Sequence, residues 1–74
     1  MPKLNPISSR KLMRVITRLG FRLIRTKGSH YFFSHLDGRT TTIPVHGNED
    51  IGIGLLAEIL EDIELSVGEY EKLR

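Results

Sequence analysis

The sequence predicts an α+β domain of order α-β-β-β-α, a three-stranded antiparallel sheet with two helices on one face. Three observations predict it. Apolar residues recur at helical spacing near both ends of the chain, and three strand-like runs fill its middle. The connections between those runs are so short that neighbouring strands must be antiparallel. The 74 residues make a single domain, residues 1–74, with its core over about 8–65 and a short extra C-terminal helix over about 66–73.

Each element has a local reason. Ser8 or Ser9 caps a first helix that runs to about Leu19 and stops at Gly20. Leu12, Val15, Ile16 and Leu19 form its apolar stripe, and Arg10, Arg14 and Arg18 stack on another face at a spacing of four. "FRLIRT" (Phe21–Thr26) alternates, with Phe21 and Leu23 on one face and Arg22 and Thr26 on the other, and Ile24 interrupts the pattern. "HYFFSHL" (His30–Leu36) is aromatic-rich and "RTTTIPV" (Arg39–Val45) is β-branched, as strands are. Lys27-Gly28-Ser29 reads as a turn and Asp37-Gly38 as a two-residue hairpin loop. Pro44 assigns the third strand to an edge or to its own end there. A second helix runs from about Gly54 to Ile63, burying Leu55, Leu56, Ile59, Leu60 and Ile63 and exposing Glu58, Glu61 and Asp62. Ser66 and Glu69 have capping-box spacing and start the last helix, "VGEYEKL". With both long helices on one face of the sheet, the other face is left to solvent or a ligand.

Composition narrows the function. There is no cysteine, which excludes thiolate nucleophiles, thiolate metal sites and disulfides and fits a reducing cytosol. No apolar run approaches the roughly 20 residues that span a membrane, and the N-terminus lacks the apolar stretch of a secretory signal. The expectation is a soluble, cytoplasmic domain with no membrane partner. Charge is divided sharply: Met1–His46 carries nine Lys or Arg against one acid, and Gly47–Arg74 carries two against eight. The first half therefore suits a polyanion.

With thiols absent, His30, His35 and His46 are the candidate chemical groups. His30 and His35 are five apart on one predicted strand, which points them to opposite faces and argues against a shared metal ion. Asp37 is committed to a turn, which argues against a Ser-His-Asp arrangement. His30 follows the Gly28-Ser29 turn and reaches past the end of the sheet. Gly28 admits a phosphate to the backbone, and Lys27, Arg25 and the amides of Gly28 and Ser29 suit that phosphate. The expected pairing sends Val45 and His46 toward the start of the first strand rather than toward His30.

These residues carry a resemblance. Helix, "LGF" (Leu19–Phe21), "KGSH" (Lys27–His30), "DGR" (Asp37–Arg39), "IPVH" (Ile43–His46) and "GLLAEIL" (Gly54–Leu60) follow one another in an order and spacing that resembles the HicA-type (YcfA-like) toxins of HicA/HicB toxin–antitoxin pairs. The resemblance covers about Ser8 to Leu65. It implies a double-stranded-RNA-binding-like fold, an endoribonuclease (mRNA interferase) activity on mRNA, and a HicB-type antitoxin partner. It also implies that the histidine of the Gly-Ser-His motif, His30, is the catalytic one. Tyr31 stands where such toxins often carry a second histidine, and Leu55 where they often have threonine.

The implied chemistry suits the residues. RNA brings its own nucleophile, the 2′-hydroxyl, so a base, phosphate stabilisation and a proton for the leaving 5′-oxygen suffice, with no metal or other cofactor. Histidine, with an ordinary pKa of about 6.5, serves as general acid or base. Lys27, Arg25 or Arg22 would stabilise the phosphorane, and Arg10, Arg14 and Arg18 would add salt-sensitive RNA affinity. Two other readings compete: a non-catalytic RNA-binding module of the same fold, which would keep the basic face without needing His30, and an interaction protein that docks an acidic partner.

Overall fold

A computed structural model of the chain describes residues 3–74. The first helix, α1, spans Ser9–Arg18. Its start follows from Ser8, whose hydroxyl accepts a hydrogen bond from the Lys11 amide at 3.2 Å. Its end is a Schellman turn: the Phe21 amide donates to Ile16 (3.1 Å) and the Gly20 amide to Thr17 (3.0 Å). Gly20 makes this possible with φ +100, and a Cβ there would lie 2.9 Å from Nε2 of His35.

Three strands follow, β2 (Arg22–Lys27), β3 (His30–Ser34) and β4 (Thr40–Pro44), in the antiparallel order β2-β3-β4. They are numbered after β1 (Ile7–Ser8), which pairs with β5 (Asp50–Ile51) and ties the start of the chain to the loop before the second helix. The second helix, α2, spans Ile53–Asp62, and α3 spans Val67–Leu73. The Ser66–Glu69 capping box forms as expected: the Ser66 hydroxyl accepts from the Glu69 amide (3.1 Å), and the Ser66 amide donates to the Glu69 carboxylate (3.2 Å).

The core explains the layering. Phe33, Thr41 and Ile43 are buried from the sheet, Leu12, Val15 and Ile16 from α1, and Leu56, Ile59 and Leu60 from α2. Phe33 pairs with Thr41 and Tyr31 with Ile43, so these four share the face under the helices. Phe32 pairs with Thr42, and His30 with Pro44, on the face that no helix covers. Phe21, Ile63 and Tyr70 are buried in the same core. Leu55, expected in the core, is 38% exposed, in the first turn of α2.

Three expectations need correction. The hairpin between β3 and β4 is not a two-residue loop. The His35 amide donates to Arg39 (2.9 Å), enclosing Leu36, Asp37 and Gly38, with Gly38 at φ +101 as a three-residue loop requires. The simple alternation of the first strand also fails. Arg22 pairs with Ser34 and Leu23 with Phe33, but Arg25 then pairs with Phe32, so Ile24 is an extra residue in a β-bulge. Thr26 consequently shares the Tyr31 face and not the Arg22 face. Finally, Val45 and His46 lie beside the His30 turn: His30 pairs with Pro44, and the Val45 amide donates to Ser29 at 2.7 Å. In an antiparallel pair the end of β4 must meet the start of β3, whatever β2 does.

Candidate functional site

The bulge at Ile24 builds the site. With strict alternation, Arg25 and Lys27 would join Leu23 on the helix side of the sheet. One extra residue turns both onto the open face, where Arg22 already stands. The open face thus gathers Arg22, Arg25 and Lys27 from β2, His30, Phe32 and Ser34 from β3, and Thr40, Thr42 and Pro44 from β4. None of these is acidic. Every residue of β2 is exposed, since it is an edge strand, and His30 is exposed beside it. The Arg25 guanidinium lies over the Phe32 ring, 4.6 Å from its centroid, which fixes the cation against the sheet and leaves its outer surface open.

Lys27 and His30 are partners across a two-residue turn, Gly28-Ser29. Gly28 takes φ +59, as the first central residue of such a turn does, and a Cβ built on it meets nothing within 4 Å. The approach to the backbone here is open. A charged lysine, an exposed imidazole and an unobstructed glycine therefore stand together at one end of a cationic sheet face. This arrangement suits an anion whose reaction needs a proton moved.

His35 is elsewhere and otherwise employed. The Asp37 amide donates to its Nδ1 (3.1 Å), so the ring proton sits on Nε2, which donates to the Leu19 carbonyl (3.1 Å). Its ring meets Phe21 edge-on at 5.1 Å. His35 thus closes the C-terminus of α1 against the hairpin. Arg39 is also structural: it pairs with Asp37 (2.9 Å), lies over Phe21 and donates to the Ile63 carbonyl. The Arg39 amide, and then its guanidinium, hold the Asp37 carboxyl below its ordinary pKa.

Of the expected anion-binding residues, the structure places Arg25, Lys27, Gly28 and Ser29 beside His30, with Arg22 on the same face at its far end, paired with Ser34. It does not bring Arg10, Arg14 and Arg18 to them. Those arginines are exposed on α1 opposite its buried Leu12, Val15 and Ile16, and so face away from the sheet. Arg14 and Arg18 instead line a groove of about 480 Å³ with Lys11, Asp50 and Arg74. The sequence offers His46 as a candidate group but sets it apart from His30, and the observed register corrects that placement. Residues equidistant from Asp37 face one another as far as Val45 and Ser29, and His46 follows directly after them.

The fold and site define a class: a small α+β domain with a three-stranded antiparallel sheet whose uncovered face is cationic and carries a histidine at its turn. Residues 9–65 match the family described as the HicA toxin of bacterial toxin–antitoxin systems, and the chain belongs to that family. It is therefore a HicA-type toxin, and the family implies a HicB antitoxin as its partner. No curated protein matches the chain. Among the described residues, no helix is long and apolar enough to cross a membrane.

Proposed function

We propose that this toxin is an endoribonuclease that cleaves mRNA in the cytoplasm, with His30 as its general acid or base and no metal ion. The observation that carries the reading is the bulge-built face, on which Arg22, Arg25 and Lys27 lead to His30 at the open Gly28 turn. RNA supplies the attacking 2′-oxygen itself, so no metal-activated water is needed. Lys27 and Arg25 neutralise the charge that grows on the phosphorane oxygens, and His30 moves a proton. Open space over Gly28 lets the phosphate approach the backbone of the turn. Phe32, already stacked on Arg25, gives the face an aromatic surface of the kind unpaired bases stack on. Arg10, Arg14 and Arg18, facing away, contribute long-range attraction to the polyanion and not contact at the scissile bond. The antitoxin is expected to neutralise this face, for which its own surface would carry acids.

The test is cleavage of an RNA oligonucleotide by the purified protein, with and without a chelator, beside His30→Ala. Cleavage that resists the chelator and falls by about 10²–10⁴-fold in His30→Ala, with RNA binding retained, is the expected result. RNA binding without cleavage in the wild-type protein would favour the non-catalytic module instead.

A further inference from the structure

Transfer through the 2′-hydroxyl needs two proton movements, one from the nucleophile and one to the leaving group, and a single imidazole cannot stand on both sides of the phosphorus at once. We infer that His46 is the second proton-transfer residue, facing His30 across the Gly28 turn. This rests on the ribonuclease reading above and extends it.

Register carries the argument. His30 is paired with Pro44, and the Val45 amide donates to Ser29 at 2.7 Å, so the ladder continues past the last residue of β4. The chain reverses only at the turn that begins with His46, whose carbonyl accepts from the Glu49 amide at 3.0 Å. Carried one residue further, that register sets His46 beside Gly28, at the diagonal position from His30. Such neighbours are about 7–8 Å apart, within reach of long side chains, and two imidazoles extending from them leave room for one phosphate. Gly28, between them, contributes no side chain, and the space over it is open. His46 is exposed, and of the other two histidines only His30 is also exposed, since His35 is engaged with Leu19 and Asp37. The charged groups around the pair are Lys27 beside His30, and Glu49 and Asp50, which line a hollow of about 230 Å³ with His46 and Pro44.

The step balances. The 2′-oxygen bonds to phosphorus as its proton passes to one imidazole, and the phosphorus–O5′ bond breaks as the other imidazole protonates the 5′-oxygen. The products are a 2′,3′-cyclic phosphate and a 5′-hydroxyl, and water restores the two rings.

The experiment compares wild type, His30→Ala, His46→Ala and His46→Gln on one RNA oligonucleotide. A second substrate has sulfur in place of the bridging 5′-oxygen at the cleaved bond, since a thiolate leaves without a proton. RNA affinity should be unchanged in both His46 variants and cleavage reduced by about 10²–10⁴-fold. Either added imidazole or the sulfur substrate should restore the rate of His46→Ala. Recovery on sulfur makes His46 the acid, and recovery with imidazole alone makes it the base. A cleavage rate close to wild type, or a loss that neither measure restores, would overturn the inference, because a packing or binding role responds to neither. If wild type does not cleave, or His30→Ala cleaves normally, it is the ribonuclease reading that fails; if only the His46 variants behave as wild type, the second residue alone is wrong.

Discussion

Two cationic surfaces face different ways, and if the protein binds RNA as proposed, the salt dependence of that binding tells which one holds it. The perturbation is a pair of triple variants: Arg22, Arg25 and Lys27 to Gln on the sheet, and Arg10, Arg14 and Arg18 to Gln on α1. Each phosphate contact contributes about 0.7 to the slope of log affinity against log salt for a single strand. Three sheet cations on one face therefore account for a slope of about 2, and their loss flattens the fall in affinity between 50 and 200 mM salt by roughly 20-fold. The helix variant should change the slope by less than one contact, about 0.7, because its arginines face away from the sheet. Fluorescence anisotropy of a labelled RNA oligonucleotide across a salt series measures both. A larger slope change in the helix variant than in the sheet variant would refute the placement of RNA on the open face.

Other expectations concern the scaffold. Gly20→Ala should destabilise by about 2 kcal/mol and lower Tm by roughly 8–16 °C, since it combines a left-handed backbone with a Cβ 2.9 Å from His35; thermal unfolding followed by circular dichroism checks this. Glu64 sits at φ +57 beyond the end of α2, where its amide bonds back to Glu61. Glu64→Gly should therefore stabilise by about 1 kcal/mol in chemical denaturation, and a loss of stability would show that its side chain matters more than its backbone. The Asp37 and Glu69 carboxyls both lie below their ordinary pKa, the first mainly through the Arg39 amide and the second through the Ser66 hydroxyl. Their contribution to stability is present above the unfolded-state carboxylate pKa and is lost as pH falls through the lower folded-state values. Denaturation midpoints of Asp37→Asn and Glu69→Gln should accordingly fall less steeply with acid than those of the wild type.

The helices were legible because burial at α1 and α2 imposes a period that the sequence repeats: Leu12, Val15 and Ile16 in one, Leu56, Ile59 and Leu60 in the other. Ser8 and the Ser66–Glu69 box marked helix starts through a local hydrogen bond, which needs no tertiary context. The β1–β5 pair was not legible, since two residues are too few to show a period and their partner is more than forty positions away. The bulge was visible only as a disturbance at Ile24. An extra residue breaks alternation without saying which side of the break is in phase with the core, and the pairing to Phe32 and Phe33 decides that. Lys27, Gly28, Ser29 and His30 were legible as a candidate site because turn and chemistry are contiguous in the chain. The closeness of His46 to that turn was not legible, because it exists only once β3 and β4 are paired.

The edge position of β2 has a bearing on solubility. An edge strand six residues long, paired on one side alone and with Leu23 and Ile24 48% and 61% exposed, is a template on which a second copy could add its own strand. Two features work against that. Ile24 breaks the line of free amides and carbonyls with its bulge, and Arg22, Arg25 and Lys27 repel the same strand of another molecule. The cations that would hold a polyanion thus also keep copies of the toxin apart. Loss of these charges in a variant would weaken RNA binding and favour self-association together, whereas an acidic strand from a different protein would meet no such repulsion.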